Sequence, residues 1–521
     1  MSKFAKALGF DAEAKQTSVR TELIAGIVTF LAMAYILTVN PNQIFGSSAS
    51  VYWASSFIAT ALGAIIGTLL MAFVAKMPLA QASGMGLNSM VGGLIGGTAG
   101  YASAFTPGQA FFLVLISGVL FLLLTLVKIK GKSFRELVFD GMPVSVRSAI
   151  AVGIGLFIAF IGMQNAGVIV TNNFTQVGFV DFTNWGNQVV NNGVIVWDEA
   201  TGMGSVIGVA KVAFPAAKTA IVALVGLFLI AILDKFKVKG SIIIGIFGAA
   251  LIGIPLGVTD LSILKGEGAI TWKFWENFGN FFSAGETSVF GSFVDVFTKD
   301  GLLPEGVSVF SIIMIVITMC MIDMFDTMGT IVGCCGGNRI LSDENNKPHN
   351  YDKIMICDSI ATCTGAMLGT STVTTFVESG AGVSAGGRTG LTALTTAGMF
   401  FLAMFALPLF AAIPSAAAAS ALIYVGVLMM KNNIKSVDFS NAINATSAFL
   451  TIAVMVLSYS ITKGIGIGLL SYTLMSIIFY LVDLIRYAIT KKEKPVWNVS
   501  VIAIVVSVLF AVYFFVPATL F

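Results

Sequence analysis

Apolar segments long enough to cross a bilayer follow one another along almost the whole 521-residue chain, and about 20 apolar helical residues are what one crossing needs. Such segments fall near 22–39, 52–75, 79–98, 108–127, 148–168, 213–233 and 240–257. Seven more fall near 307–335, 354–369, 371–386, 390–412, 415–430, 444–461 and 464–485, with an additional apolar stretch at 498–519. Fourteen spans divide into two sevens. Because seven is odd, the second half must run through the membrane upside down relative to the first. The expected fold is therefore an all-α polytopic membrane protein built as a 7+7 inverted repeat. Composition agrees: 57% of residues are hydrophobic and 11% charged, against roughly 25% charged in soluble domains. A soluble enzyme is excluded.

Positive residues set the orientation, since they concentrate on the cytoplasmic side. With the N-terminus (1–21) inside, 23 of the 29 Lys and Arg lie inside and 6 outside. The long loops 169–205 and 258–306 are then external, and all six Trp lie in loops or at span ends, where interfacial aromatic side chains belong. The expected location is the plasma membrane, with the N-terminus cytoplasmic and lipid as the solvent. A homodimer is compatible with the sequence, which leaves the oligomeric state open. Basic stretches are short, so nucleic acid is not an expected partner. His349 is the one histidine, and Cys320, Cys334, Cys335, Cys357 and Cys363 lie in or beside apolar segments. No metal or other cofactor is expected, and the cysteines read as small packing residues.

Acids inside apolar spans are costly, about 2.5–3.5 kcal/mol each at mid-membrane, so each needs a reason. Asp323 and Asp326 stand three apart on the eighth span and share a helix face. Glu378 lies on the tenth span and Asp358 on the ninth. Asp358 is best read as a hydrogen-bonded packing group. Asp326 and Glu378 adjoin glycines and hydroxyl residues able to thin the helix, and are the stronger candidates for accepting hydrogen bonds from a planar ligand. Asp323 and Thr375 stand as coupling or support residues. The β-branched, hydroxyl-rich run Ser371–Val377 predicts a short extended piece ahead of Glu378, with Phe376 on the same side as that acid. Phe376 then offers a stacking face beside an acceptor. A weak internal echo links Ser83-Gly84-Met85-Gly86-Leu87-Asn88-Ser89 to Ser379-Gly380-Ala381-Gly382-Val383-Ser384-Ala385, the third members of the two halves. Matching glycine-interrupted segments of this kind point to a transporter's binding site.

Four separated blocks carry a more specific likeness. They are Thr29-Phe30-Leu31-Ala32-Met33-Ala34-Tyr35 through Val39-Asn40-Pro41, Gly84-Met85-Gly86-Leu87-Asn88, Phe325-Asp326-Thr327-Met328-Gly329-Thr330, and Gly369 through Glu378 with Gly386-Gly387-Arg388-Thr389-Gly390-Leu391-Thr392. In these the chain resembles the AzgA-like purine permeases, transporters of adenine, guanine and hypoxanthine within the nucleobase-ascorbate transporter superfamily. The resemblance implies a core domain (22–142 and 307–412) and a gate domain (143–306 and 413–490), with 491–521 as an extra C-terminal apolar segment. It implies short strands in the third and tenth spans and substrate contacts from Asn88, Asp326, Phe376 and Glu378. It further implies import of purine nucleobases by proton symport, with an elevator movement of core against gate. Two departures stand out: Ser83 where relatives commonly have proline, and Gly380 where they commonly have alanine.

Two other classes compete. The same inverted architecture serves anion transporters and channels, but two site acids and no mid-span Lys or Arg in the third, eighth and tenth spans argue against an anion. An ATP-driven pump or membrane enzyme has less support: Gly131-Lys132-Ser133 resembles half of a phosphate loop, yet Leu126 stands where its first glycine belongs.

Overall fold

Helices in this chain start and stop where local chemistry tells them to, and they stop twice in the middle of a span. The computed structural model describes residues 10, 16–46, 48, 50–95, 105–129, 132–133, 144–172, 176–183, 188–197, 204–214, 217–238, 240–265, 270–283, 287–304, 307–335, 340–342, 348–458, 460–491, 496–497 and 499–515. Most of the N-terminal segment 1–21, Gly131, and both ends of the stretch 498–519 lie outside them.

The first span is α1 (Val19–Met33), N-capped by the Ser18 hydroxyl, followed by α2 (Ile36–Phe45). Ala34 and Tyr35 form the break between the two. Next come α3 (Trp53–Leu70), the three-residue strand β1 (Gln81–Ser83) and α4 (Met85–Ile95). Helix α5 (Pro107–Leu126) opens on a capping box in which Thr106 and Gln109 satisfy each other's backbone N–H. The first half closes with α6 (Val144–Asn165), α7 (Ala217–Lys235) and α8 (Ser241–Gly253). Two short helices, α9 (Phe274–Phe282) and α10 (Val289–Asp295), fill the connection to the second half.

That half repeats the pattern. Helices α11 (Val309–Cys335) and α12 (Tyr351–Leu368) lead into strand β2 (Val373–Thr375) and the short helix α13 (Ser379–Ser384). After them come α14 (Gly390–Met404), α15 (Leu407–Ala411), α16 (Ser415–Asn433), α17 (Ala442–Leu457) and α18 (Ile461–Thr490). Helix α19 (Val501–Phe515) is the extra C-terminal stretch, packed on α18 and touching α11. The third segment of each half is thus a strand running into a short helix. This is the 7+7 inverted repeat of a multi-pass membrane protein.

Strands β1 and β2 pair antiparallel, Gln81 opposite Thr375, Ala82 opposite Thr374 and Ser83 opposite Val373. All six residues are buried. Non-helical backbone survives at membrane depth only where the protein itself satisfies it, and these two strands satisfy each other. Asp358 on α12 holds the pair in place. Its carboxylate accepts from the Thr375 N–H (3.1 Å), the Thr375 hydroxyl (3.1 Å), the Gln81 amide (2.9 Å) and the Thr327 hydroxyl on α11 (2.7 Å).

Helix packing falls into two groups. In one, α14 packs on α1 and α3, α12 on α3 and α5, α11 on α5, and α13 on α1. In the other, α6 packs on α16, α17 and α18, and α7 on α8 and α16. Small residues set the closest approach: a Cβ at Gly155 of α6 would lie 2.9 Å from the Gly426 carbonyl of α16. Helices α9 and α10 lie within the 143–306 stretch that the sequence division gave to the gate, yet they pack on α3, α5 and α12. The stretch at 169–205, expected as a loop, carries a hairpin (Ile169–Asn172 with Gln176–Phe179) and enters a second (Gln188–Trp197 with Gly204–Phe214). The latter runs past the expected start of the sixth span at 213. Its alternating sequence is short of the apolar density that a membrane helix needs, and α7 begins only at Ala217.

Replacing Asp358 by alanine leaves four buried donors without their acceptor. Each such loss costs about 1–3 kcal/mol, so Asp358→Ala is expected to lower the melting temperature of detergent-purified protein clearly, while Asp358→Asn loses less. Equal melting of Asp358→Ala and the parent protein would remove Asp358 as the anchor of the strands.

Candidate substrate-binding site

Where β2 ends, the chain turns before it can become helix again. The Phe376 N–H donates to the Ala80 carbonyl (3.0 Å), and the Ser379 hydroxyl accepts from the Ala80 N–H (3.0 Å). These two bonds set the ends of a three-residue link, Phe376-Val377-Glu378, between β2 and α13. Its counterpart in the first half is a single residue, Gly84, between β1 and α4. The two halves match in outline, but the second has two more residues at this point, and they bring an aromatic ring and an acid.

Both reach a cavity of about 400 Å³ between the two helix groups. One wall comes from Met85 and Gly86 of α4, Asp326 and Thr330 of α11, and Thr375, Phe376 and Glu378. The facing wall is apolar: Ile150, Ile154 and Ile158, spaced one turn apart on α6, with Val425 and Met429 of α16. Asn433 marks the end of that wall. No Lys or Arg stands among the described lining residues. An apolar enclosure with a few convergent polar groups is the usual form of a small-molecule site.

Of the residues singled out in the sequence, Asp326, Thr375, Phe376 and Glu378 line this cavity together. Phe376 sits after the strand rather than in it, because the ladder ends at Thr375. Asp323 is elsewhere: it is 1% exposed and accepts from the Thr362 hydroxyl of α12 at 2.9 Å. Three residues, almost a full turn, separate it from Asp326, and the small angular difference is enough to turn it into the packed interior.

Asn88 also differs from the expectation of a substrate contact. It is fully buried and absent from the cavity lining. Its amide oxygen accepts from the hydroxyls of Ser83 (2.9 Å) and Ser371, and its Nδ2 donates to Gln43 Oε1 (3.2 Å). Asn88 ties α4 to α2 and to the strand-bearing segments. Ser83 is part of the same hydroxyl group, also meeting Thr370 (3.0 Å).

Two features of the site were not foreseen, one in the cavity lining and one behind it. Cys334, read as a packing residue, lines the cavity with its thiol 3.4 Å from the Val377 carbonyl. Tyr35, wholly buried at the break of the first span, donates from its hydroxyl to Glu378 Oε1 at 2.6 Å. A phenol at the centre of an apolar span was a usable signal, since a buried tyrosine tip needs a partner.

Fold and cavity together define a membrane transport protein. The permease family model Xan_ur_permease, described as "Permease family", matches residues 199–467. A guanine/hypoxanthine permease of Bacillus subtilis is 33% identical over 89% of this chain and 93% of its own. An adenine permease of Escherichia coli is 32% identical over 88% of each chain. The chain belongs to this permease family, and these relatives bear out the AzgA-like resemblance carried by its motifs. They are named as permeases and not as enzymes. Among solved structures, the transmembrane domain of a cyanobacterial bicarbonate transporter superposes with a TM-score of 0.57 at 14% identity, covering 85% of this chain and 97% of that domain. That likeness concerns the fold alone.

Proposed function

We propose that the chain imports purine nucleobases across the plasma membrane by proton symport, with its N-terminus in the cytoplasm. One observation carries the reading: Asp326 and Glu378 face a single cavity beside Phe376, with no cation among the described lining residues. A purine offers N–H donors along its edge and a flat ring above it. Carboxylates accept the first through bonds worth about 1.5–3 kcal/mol each, and an aromatic face takes the second. The guanine/hypoxanthine and adenine permeases among the relatives support the same substrate class.

The transported proton rides on one of the two carboxyls that line the cavity. Movement follows from the two walls. All hydrogen-bonding groups but Asn433 lie on the wall built from α4, α11, β2 and α13, whereas the opposite wall is mainly isoleucine, valine and methionine. Within the cavity, a core made of spans one to four and eight to eleven meets an apolar wall along which it can slide, and the Ser415–Gly46 hydrogen bond at the edge of α16 is a polar contact the movement would break. Helices α9 and α10 travel with this core, on which they pack, and the gate consists of spans five to seven and twelve to fourteen.

The bicarbonate transporter's shared fold raises an anion as the other cargo. The lining described above gives an anion two carboxyls and no counter-charge, which favours the nucleobase.

Glu378→Gln and Asp326→Asn are each expected to cut purine uptake roughly tenfold or more, with the amount of protein in the membrane unchanged. Wild-type uptake and selectivity in both variants would overturn the site. A protonophore is expected to abolish accumulation in energised cells. Persistence of accumulation would separate purine transport from proton coupling, and inhibition of uptake by chloride or sulfate with purines inert would favour the anion. Ala151→Trp, which pushes an indole into the cavity from the α6 wall, is expected to abolish purine binding to purified protein with little change in melting temperature.

A further inference from the structure

Resting on the nucleobase reading, we propose that Tyr35 is the positioning residue of the substrate site: its hydroxyl holds Glu378 Oε1, so that Oε2 is the oxygen presented to the purine's N–H edge. Glu378 is the last residue of the three-residue link between strand and helix, and its side chain makes no capping bond to α13. A side chain on a link of that kind needs an outside contact to set its torsion. The carboxyl also meets its own backbone N–H, and the side-chain donor found on it among the described residues is the Tyr35 hydroxyl, at 2.6 Å.

Tyr35 is itself fixed. It is fully buried at the break between α1 and α2, and its hydroxyl also lies 3.8 Å from the sulfur of Met85, a residue of the cavity wall. The first span thereby touches the strand-helix segments of both halves at two residues that line the cavity. The bond also lies inside one packing group. Helix α13 packs on α1, and a side chain at Gly382 would run into the Thr29 hydroxyl, so there is no slack between them. Sliding of the core against α6 and α16 therefore leaves Tyr35 and Glu378 together.

The bond also survives protonation, although it is stronger to the carboxylate. A tyrosine hydroxyl can donate to Oε1 whether Oε2 is ionised or protonated, so the carboxyl keeps its orientation through a transport cycle in which Glu378 gains and loses a proton. Without the hydroxyl, the carboxyl can turn and present either oxygen. The consequence is weaker binding and, because the donor pattern differs between purines, altered discrimination.

The test uses the full-length purified protein with adenine and hypoxanthine as separate probes, alongside uptake in cells. Tyr35→Phe keeps the ring and removes the donor. It is expected to raise the KM of uptake and the Kd of binding about tenfold with Vmax retained, and to shift the adenine-to-hypoxanthine affinity ratio by roughly threefold or more. A residue that merely fills space would instead lower Vmax or the melting temperature and leave the ratio where it was, which would overturn the proposal. If the wild-type protein binds neither purine, the nucleobase reading fails first. If it binds, Glu378→Gln abolishes binding and Tyr35→Phe matches wild type, the role of Tyr35 alone is refuted.

Discussion

Backbone amides that leave a helix inside a membrane must find partners within the protein, and nearly every feature of this site descends from how that demand is met. Strands β1 and β2, one from each half, pair antiparallel. The pairing allows two spans to be interrupted at the same depth, so that two short helices begin there and the residues between strand and helix point into a cavity. Asp358 turns the local solution into a rigid one, because its four accepted bonds reach β1, β2 and α11 at once. The cost of burying this carboxylate is offset by filling its lone pairs with donors.

The acids of the membrane region consequently divide by their surroundings rather than by their positions in the chain. Glu22 at the start of α1 is fully buried and accepts from the Arg388 and Thr389 N–H groups and the Thr392 hydroxyl, so it joins the first span to the start of α14. Asp323 and Asp358 join helices in a similar way. Asp326 and Glu378 instead face open volume. Acids of the first kind hold the scaffold together, and those of the second kind remain available to a guest with N–H donors.

Much of this was legible in the chain. Span count, inverted repeat, and the gathering of Asp326, Thr375, Phe376 and Glu378 at one place followed from apolar length, the expense of charge in lipid and motif likeness. Other features depended on distances that no local pattern carries. Asn88 sits in a motif that suggests ligand contact, and the structure places it beneath the cavity wall, bonded to Ser83, Ser371 and Gln43. Asp323 shares a helix face with Asp326 on paper, but a three-residue step leaves it turned toward Thr362. The segments 188–197 and 204–214 pair as strands, the second running into the expected start of the sixth span at 213.

The amino-acid sequence alone determined that this is a polytopic membrane protein of the permease kind and which acids needed explaining, because hydrophobic length and buried charge are properties of residues. Tertiary structure alone decided which acids face a cavity, that the opposite wall is apolar, and that Tyr35 reaches the Glu378 carboxylate. Those outcomes depend on contacts between residues as far apart in the chain as Tyr35 and Glu378, and such proximity arises only when the two inverted halves fold around each other.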